Sequence, residues 1–111
     1  MQKLILLFGL CILLGCQNNH AKLGNISPRS ATSYLALGDS YTIGQSVELQ
    51  DRWPVQLATA LNEKGIPMED PRIIAKTGWT TDELMSGIDE AQLTTNYDYV
   101  SLLIGVNNQY R

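Results

Sequence analysis

The chain has 111 residues, room for one domain. A formal net charge of −3 is spread along it, which excludes the basic footprint of a nucleic-acid binder. Hydrophobic residues make up 44%, enough for a folded core, so disorder is not the default.

Lys3 gives a charged start. The stretch from Leu4 to Leu14, "LILLFGLCILL", is an apolar run of 11 residues. That is too short to span a bilayer as a helix and right for the core of a signal peptide. The run ends in Leu13-Leu14-Gly15-Cys16, which resembles the bacterial lipobox. In that signal, cleavage precedes the cysteine and a lipid is attached to its sulfur. The resemblance implies a lipoprotein signal over residues 1–15, lipidation at Cys16, and export to the bacterial cell envelope with a lipid anchor in the membrane. The alternatives are an ordinary secretory signal cut elsewhere and an uncleaved anchor. With Cys11 discarded and Cys16 lipidated, the mature part has no thiol left for a disulfide or a Cys-type zinc site. Each buried acyl methylene adds about 0.8 kcal/mol of membrane affinity, so several chains hold firmly.

Residues 16–32 read as a flexible tether: from Gln17 on they are polar, carry Gly, Pro and Ser, and show no periodicity. His20, the only histidine, lies there. The domain is expected over 33–111.

Tyr34 to Leu37 predicts a short strand stopped by Gly38, followed by a polar loop over 39–51. Arg52-Trp53-Pro54 opens a helix, since proline is tolerated in a first turn. Its buried stripe is expected from Trp53, Leu57, Ala60 and Leu61, and Gly65 is its stop. Asp51 and Arg52 read as a solvated helix start. Pro71 to Ala75 predicts a second strand. Thr80-Thr81-Asp82-Glu83 has the form of a capping box and starts a second helix, with Leu84, Met85, Ile88 and Ala91 as the expected buried stripe. Asp98 to Ile104, "DYVSLLI", predicts a third strand, its apolar end suited to a sheet covered on both faces.

Strand, helix, strand, helix, strand implies right-handed crossovers and a parallel sheet. Functional residues are then expected at the carboxyl ends of the strands. Each predicted strand ends in a Gly-containing polar turn: Gly38-Asp39-Ser40, Lys76-Thr77-Gly78 and Gly105-Val106-Asn107. Two crossover helices cover both faces of three strands poorly, and the chain stops seven residues after the third. The expectation is the front half of a longer protein, or a truncated gene product.

The stretch Gly38-Asp39-Ser40-Tyr41-Thr42-Ile43-Gly44 resembles the first block of the GDSL, or SGNH, hydrolases, a family of esterases and lipases. Tyr41 stands where the family name has Leu. The resemblance extends over about 33–111. It implies a three-layer, flavodoxin-like α/β fold with a parallel sheet, of which only the first β-α-β-α-β part is present. It implies that Ser40 is the nucleophile and that its backbone N–H helps bind the oxyanion. The second block implies a donating glycine, matched by Gly78 in "AKTGWTTDEL". The third block, Gly-x-Asn-Asp, implies a side-chain donor, matched by Asn107 in Gly105-Val106-Asn107-Asn108. Asn108 departs from the usual Asp.

The chemistry agrees with this assignment. A tetrahedral intermediate concentrates negative charge on one oxygen, and each preorganised donor there is worth roughly 2.7–4 kcal/mol in a measured serine hydrolase. Bland readings stand beside these roles. Gly-Asp-Ser tripeptides are common in turns, Gly78 is also a plain turn glycine, and Asn107 is also a helix cap. Asp39 is expected to order its loop by accepting backbone N–H bonds. Trp53 reads as core, and Trp79 as either core or the wall of an acyl pocket.

A serine also needs a base. The family supplies it in an Asp-x-x-His near the C-terminus, a motif absent here. A tether of this length spans about 60 Å. A mobile segment, however, does not hold the His20 imidazole within about 3 Å of a hydroxyl. Loss of a triad base costs on the order of a million-fold, so this chain alone is expected to be nearly inert. The resemblance implies no metal and no cofactor. It implies a small-molecule, lipid or sugar ester as substrate, with lysophospholipids, short-chain esters and acetylated sugars all within the family. The alternative is a non-catalytic envelope lipoprotein that uses the fold as a binding module. A dinucleotide or phosphate site fails for want of Gly-x-Gly-x-x-Gly or Gly-Lys-Ser/Thr.

Overall fold

The computed structural model describes residues 30–111. The expected signal peptide with Cys11, the lipidation candidate Cys16, His20 and all but the last residues of the tether lie outside the described residues.

Three strands, β1 (Tyr34–Gly38), β2 (Arg72–Ala75) and β3 (Tyr99–Leu103), form one sheet in the order β2-β1-β3. Both pairings are parallel, with Gly38 opposite Ala75 on one side and Leu103 on the other. Between the strands lie α1 (Ser40–Ile43), a 3-10 turn (Leu49–Asp51), α2 (Trp53–Glu63) and α3 (Thr81–Glu90); a second 3-10 turn (Val106–Tyr110) follows β3. Thr32, assigned above to the tether, already pairs with the loop before β2: its N–H donates to Pro67 O at 2.9 Å, and Glu69 N–H donates to Thr32 O at 2.9 Å.

Alternation along β1 explains the layers. Tyr34 and Ala36 face one side, where Ala58, Leu57 and Leu61 of α2 pack with Met68 and Ile73. Leu35 and Leu37 face the other, where Leu84 and Ile88 of α3 join Ile74, Trp79 and Ile104. Each fully buried apolar side chain contributes about 1.5–3 kcal/mol. The chain leaves β1 toward β2, then crosses back over β1 to β3. Right-handed connections in opposite directions put α2 and α3 on opposite faces. The outer strand is less well covered: Val100, Leu102 and Leu103 are 49%, 63% and 47% exposed.

Several local expectations change. The predicted loop over 39–51 begins with the helical turn α1, because Asp39 caps it and Gly44 ends it in a left-handed conformation at φ 68°. In α2 the buried alanine is Ala58; Ala60 faces solvent, since Leu57, Ala58 and Leu61 form the face packed on the sheet. In α3 Met85 is exposed and Gly87 is buried. The capping box forms as expected, with Thr80 N–H donating to Glu83 Oε2 at 2.9 Å. Asp82 and Glu83 carboxyls both sit below their usual range, chiefly because they accept hydrogen bonds at Thr80.

Candidate active site

The order β2-β1-β3 creates a switch point between β1 and β3, where the chain leaves in opposite directions. Open α/β sheets bind ligands in the crevice beyond the carboxyl ends of such strands. Neighbouring strands lie about 4.8 Å apart, so the turns after Gly38, Ala75 and Leu103 emerge side by side. Ser40, Gly78 and Asn107 sit on those three turns, respectively two, three and four residues past the last paired position.

Ser40 is the first residue of α1 and is half-buried. Asp39, 1% exposed, aims its Oδ1 at Tyr41 N–H at 3.0 Å, while its carbonyl accepts Thr42 N–H and Ile43 N–H at 3.1 and 2.9 Å. These bonds turn the chain sharply out of β1 and put the serine at the strand's end. Asp39 therefore orders the turn, as expected. Gly38 has to be glycine: a Cβ there would run into Thr42 Oγ1 and the Leu103 carbonyl oxygen, with Thr42 Cβ at 2.7 Å. The close approach of α1 to β3 is what leaves no room.

Gly78 has φ 82°, and Trp79 N–H donates to Lys76 O at 3.2 Å, closing a four-residue turn. A positive φ at the third position is what a type II turn demands of glycine. The space in front of it is open, since a Cβ would meet only Arg111 Nη2, at 3.8 Å. Among the described residues, neither Ser40 N–H nor Gly78 N–H is taken up by a hydrogen bond.

Asn107 Nδ2 donates to Trp79 O at 2.9 Å. A carbonyl can only accept, so this contact orients the carboxamide and ties the β3 turn to the Gly78 turn. A carboxamide nitrogen carries two N–H bonds, and the second stays available. Next to it Asn108 accepts from Thr81 N–H at 3.2 Å and donates to Thr81 Oγ1 at 2.9 Å. Arg111 Nη1 pairs with Glu83 Oε1 at 2.9 Å. Three contacts thus fasten the turn after β3 to the start of α3. Trp79 itself is core: it packs with Leu35, Ile74 and Leu84, and its ring lies against Gly87, where a Cβ would strike Cη2 and approach Cζ3 to 2.8 Å.

A hollow of about 260 Å³ opens beside Ser40, lined in part by Tyr41, Gly44, Asp51, Arg52 and Trp53. Trp53 reads as core and Arg52 as solvated from the sequence; both are half-buried on this wall. The clue to them was Gly44, whose left-handed turn brings the residues before α2 back over α1. Among the described residues no three His, Cys, Asp or Glu side chains are grouped as metal ligands, and there is no histidine.

A family model described as GDSL-like Lipase/Acylhydrolase matches residues 36–111. Among solved structures, the chain is similar to AlinE4, an SGNH-hydrolase family esterase, at 27% identity and a TM-score of 0.61, covering 74% of this chain and 44% of that one. An aspartate-to-alanine variant of the same esterase gives 27% identity and a TM-score of 0.60, with the same coverage of both chains. A serine-to-alanine variant gives 26% identity and a TM-score of 0.60, again over 74% and 44%. The chain thus spans 44% of the length of these structures and shares the fold of their corresponding part. The search of curated proteins finds no match.

Proposed function

The chain belongs to the GDSL-like lipase/acylhydrolase family, a family of ester hydrolases, and on that premise we propose that it supplies the nucleophile and oxyanion hole of a serine esterase. Ser40 Oγ attacks the acyl carbon of a small-molecule, lipid or sugar ester. The hydroxyl proton passes to a base, and the carbonyl oxygen takes up the negative charge. The N–H groups of Ser40 and Gly78 and the free N–H of Asn107 hold that oxygen. Collapse expels the alcohol, which takes a proton, and leaves an acyl-enzyme; water then releases the acid and regenerates Ser40. No step needs a metal or cofactor.

The observation that carries this reading is the set of donors at adjacent strand ends. Two amides are unengaged among the described residues, and the carboxamide is oriented by Trp79 with one N–H to spare. Such donors work because they are fixed before the charge develops. The base comes from polypeptide outside residues 30–111, which hold no imidazole. Alone, these residues are nearly inert, on the order of a million-fold below a complete triad. The protein is exported and held at the bacterial envelope membrane through a lipid on Cys16.

Labelling with a fluorophosphonate tests the nucleophile. Protein purified from the cells that make it takes up the label, and Ser40→Ala does not. A second reading is a non-catalytic envelope lipoprotein that uses the fold as a binding module, its unengaged Ser40 and Gly78 amides holding an ester carbonyl without cleavage. That reading predicts ester binding with no label on Ser40.

A further inference from the structure

We propose that Arg52 is a specificity-determining residue that draws an anionic group of the substrate, carboxylate or phosphate, into the hollow beside Ser40. The inference rests on the reading of Ser40 as nucleophile and adds to it the charge of the ester.

Arg52 is not a loose surface side chain. Gly44, at φ 68°, lets its stem lie flat: a Cβ on Gly44 would sit 2.6 Å from Arg52 Cγ and 3.3 Å from its Cβ. Arg52 Nε is sealed from solvent and has no partner among the described residues. The guanidinium is therefore anchored at its root, and it borders a hollow of about 260 Å³ shared with Ser40. That volume suits the part of a small ester next to its scissile bond.

The charge is also uncompensated. Among the described residues the one ion pair joins Arg111 to Glu83, so no carboxylate lies within 4.0 Å of Arg52. A half-buried guanidinium has given up part of its hydration, and an anion restores what it lost. Its planar fork matches carboxylate and phosphate oxygens, two bonds at once. Asp51 borders the same hollow with the opposite charge, but it is exposed, so water and salt attenuate its field more than that of the half-buried arginine. Trp53, on the same wall, reports on what enters.

The test is a titration of the full chain, following the Trp53 indole N–H by NMR. Three probes differ in charge: dimethyl succinate, its monomethyl ester carrying one carboxylate, and acetoxyethyl phosphate. At least one anionic probe is expected to bind about tenfold more tightly than the diester, the yield of one charge-assisted pair, and whichever binds more tightly identifies the anion. The preference falls with added salt, is lost in Arg52→Gln and is partly kept in Arg52→Lys. Equal affinity for all three probes overturns the proposal, as does a preference that survives in Arg52→Gln. Should that variant not fold, as read by its thermal transition, the wild-type preference and its salt dependence decide. Binding does not need the nucleophile. A failure here beside fluorophosphonate labelling of Ser40 removes Arg52 alone, and the converse result removes Ser40 alone.

Discussion

Asn108 and Thr81 hold each other by two hydrogen bonds that run in opposite directions. The Asn108 carboxamide accepts from the Thr81 N–H at 3.2 Å and donates to the Thr81 hydroxyl at 2.9 Å. One of the orphan amides at the start of α3 is thereby satisfied from the turn after β3. The same contact keeps Asn107, the adjacent residue, beside Trp79.

Removing this clasp has a measurable cost. Asn108→Ala is expected to lower stability by about 1 kcal/mol, since both hydrogen bonds are exposed to solvent and lie at the low end of their usual worth. Asn108→Asp, the residue usual in the family, keeps both bonds because the hydroxyl can reverse and donate. It is expected to stay within about 0.5 kcal/mol of the parent. Urea unfolding of the two variants separates these outcomes.

Much of this organisation is legible in the sequence, and the exceptions have physical causes. The capping box at Thr80 and the stop at Gly65 are local chemistry, and a few neighbouring residues reveal them. The three glycine turns are legible because a parallel sheet gathers its strand ends. The order β2-β1-β3 is not, since hydrophobic periodicity carries no information on which strand pairs with which. The turn α1 escapes notice because four residues have no period to read; only Asp39 and Gly44 mark its ends. Gly87 looks like a helix weakness until Trp79 is seen lying on it. Arg52 looks solvated until Gly44 folds the loop back.

Gly38 is where α1 and β3 come together. Gly38→Ala places a methyl against Thr42 Oγ1 and the Leu103 carbonyl. One obstacle is backbone, so repacking offers little relief. A loss of about 3 kcal/mol or more is expected, at the upper end of overpacking effects. Adding Thr42→Ala is expected to recover less than half of it. Calorimetry on the single and double variants measures both.

Gly87 gives the complementary case. Gly87→Ala improves helix propensity by about 1 kcal/mol in isolation, yet its methyl meets the Trp79 ring. The clash is expected to win, for a net loss of about 1–2 kcal/mol. In the background of Trp79→Leu the same substitution is expected to be neutral or stabilising. A double-mutant cycle by urea unfolding reads the coupling.

Ser33 and Asp98 latch the starts of β1 and β3 together. Ser33 N–H and its hydroxyl donate to Asp98 Oδ2 at 2.9 and 2.8 Å, and Asp98 N–H donates to Ser33 Oγ at 3.0 Å. These bonds, the backbone one foremost, hold the Asp98 carboxyl below its ordinary value of 3.8. A group depressed by folding stabilises the fold at pH above its unfolded value. The latch therefore contributes fully above 3.8 and weakens as pH falls through the lower folded value. Asp98→Asn is expected to lower the melting temperature near neutral pH and to make little difference at about pH 2. A gap that widens in acid would contradict the assignment.

In the proposed site one oxygen is addressed by three strand ends at once. The direct measurement is a crystal structure of the protein, taken from the cells that make it, after reaction with a fluorophosphonate. Phosphorus is expected on Ser40 Oγ, with the phosphoryl oxygen about 2.7–3.1 Å from Ser40 N, Gly78 N and Asn107 Nδ2. A label on another residue, or a phosphoryl oxygen turned to solvent and out of reach of Gly78 and Asn107, would contradict it.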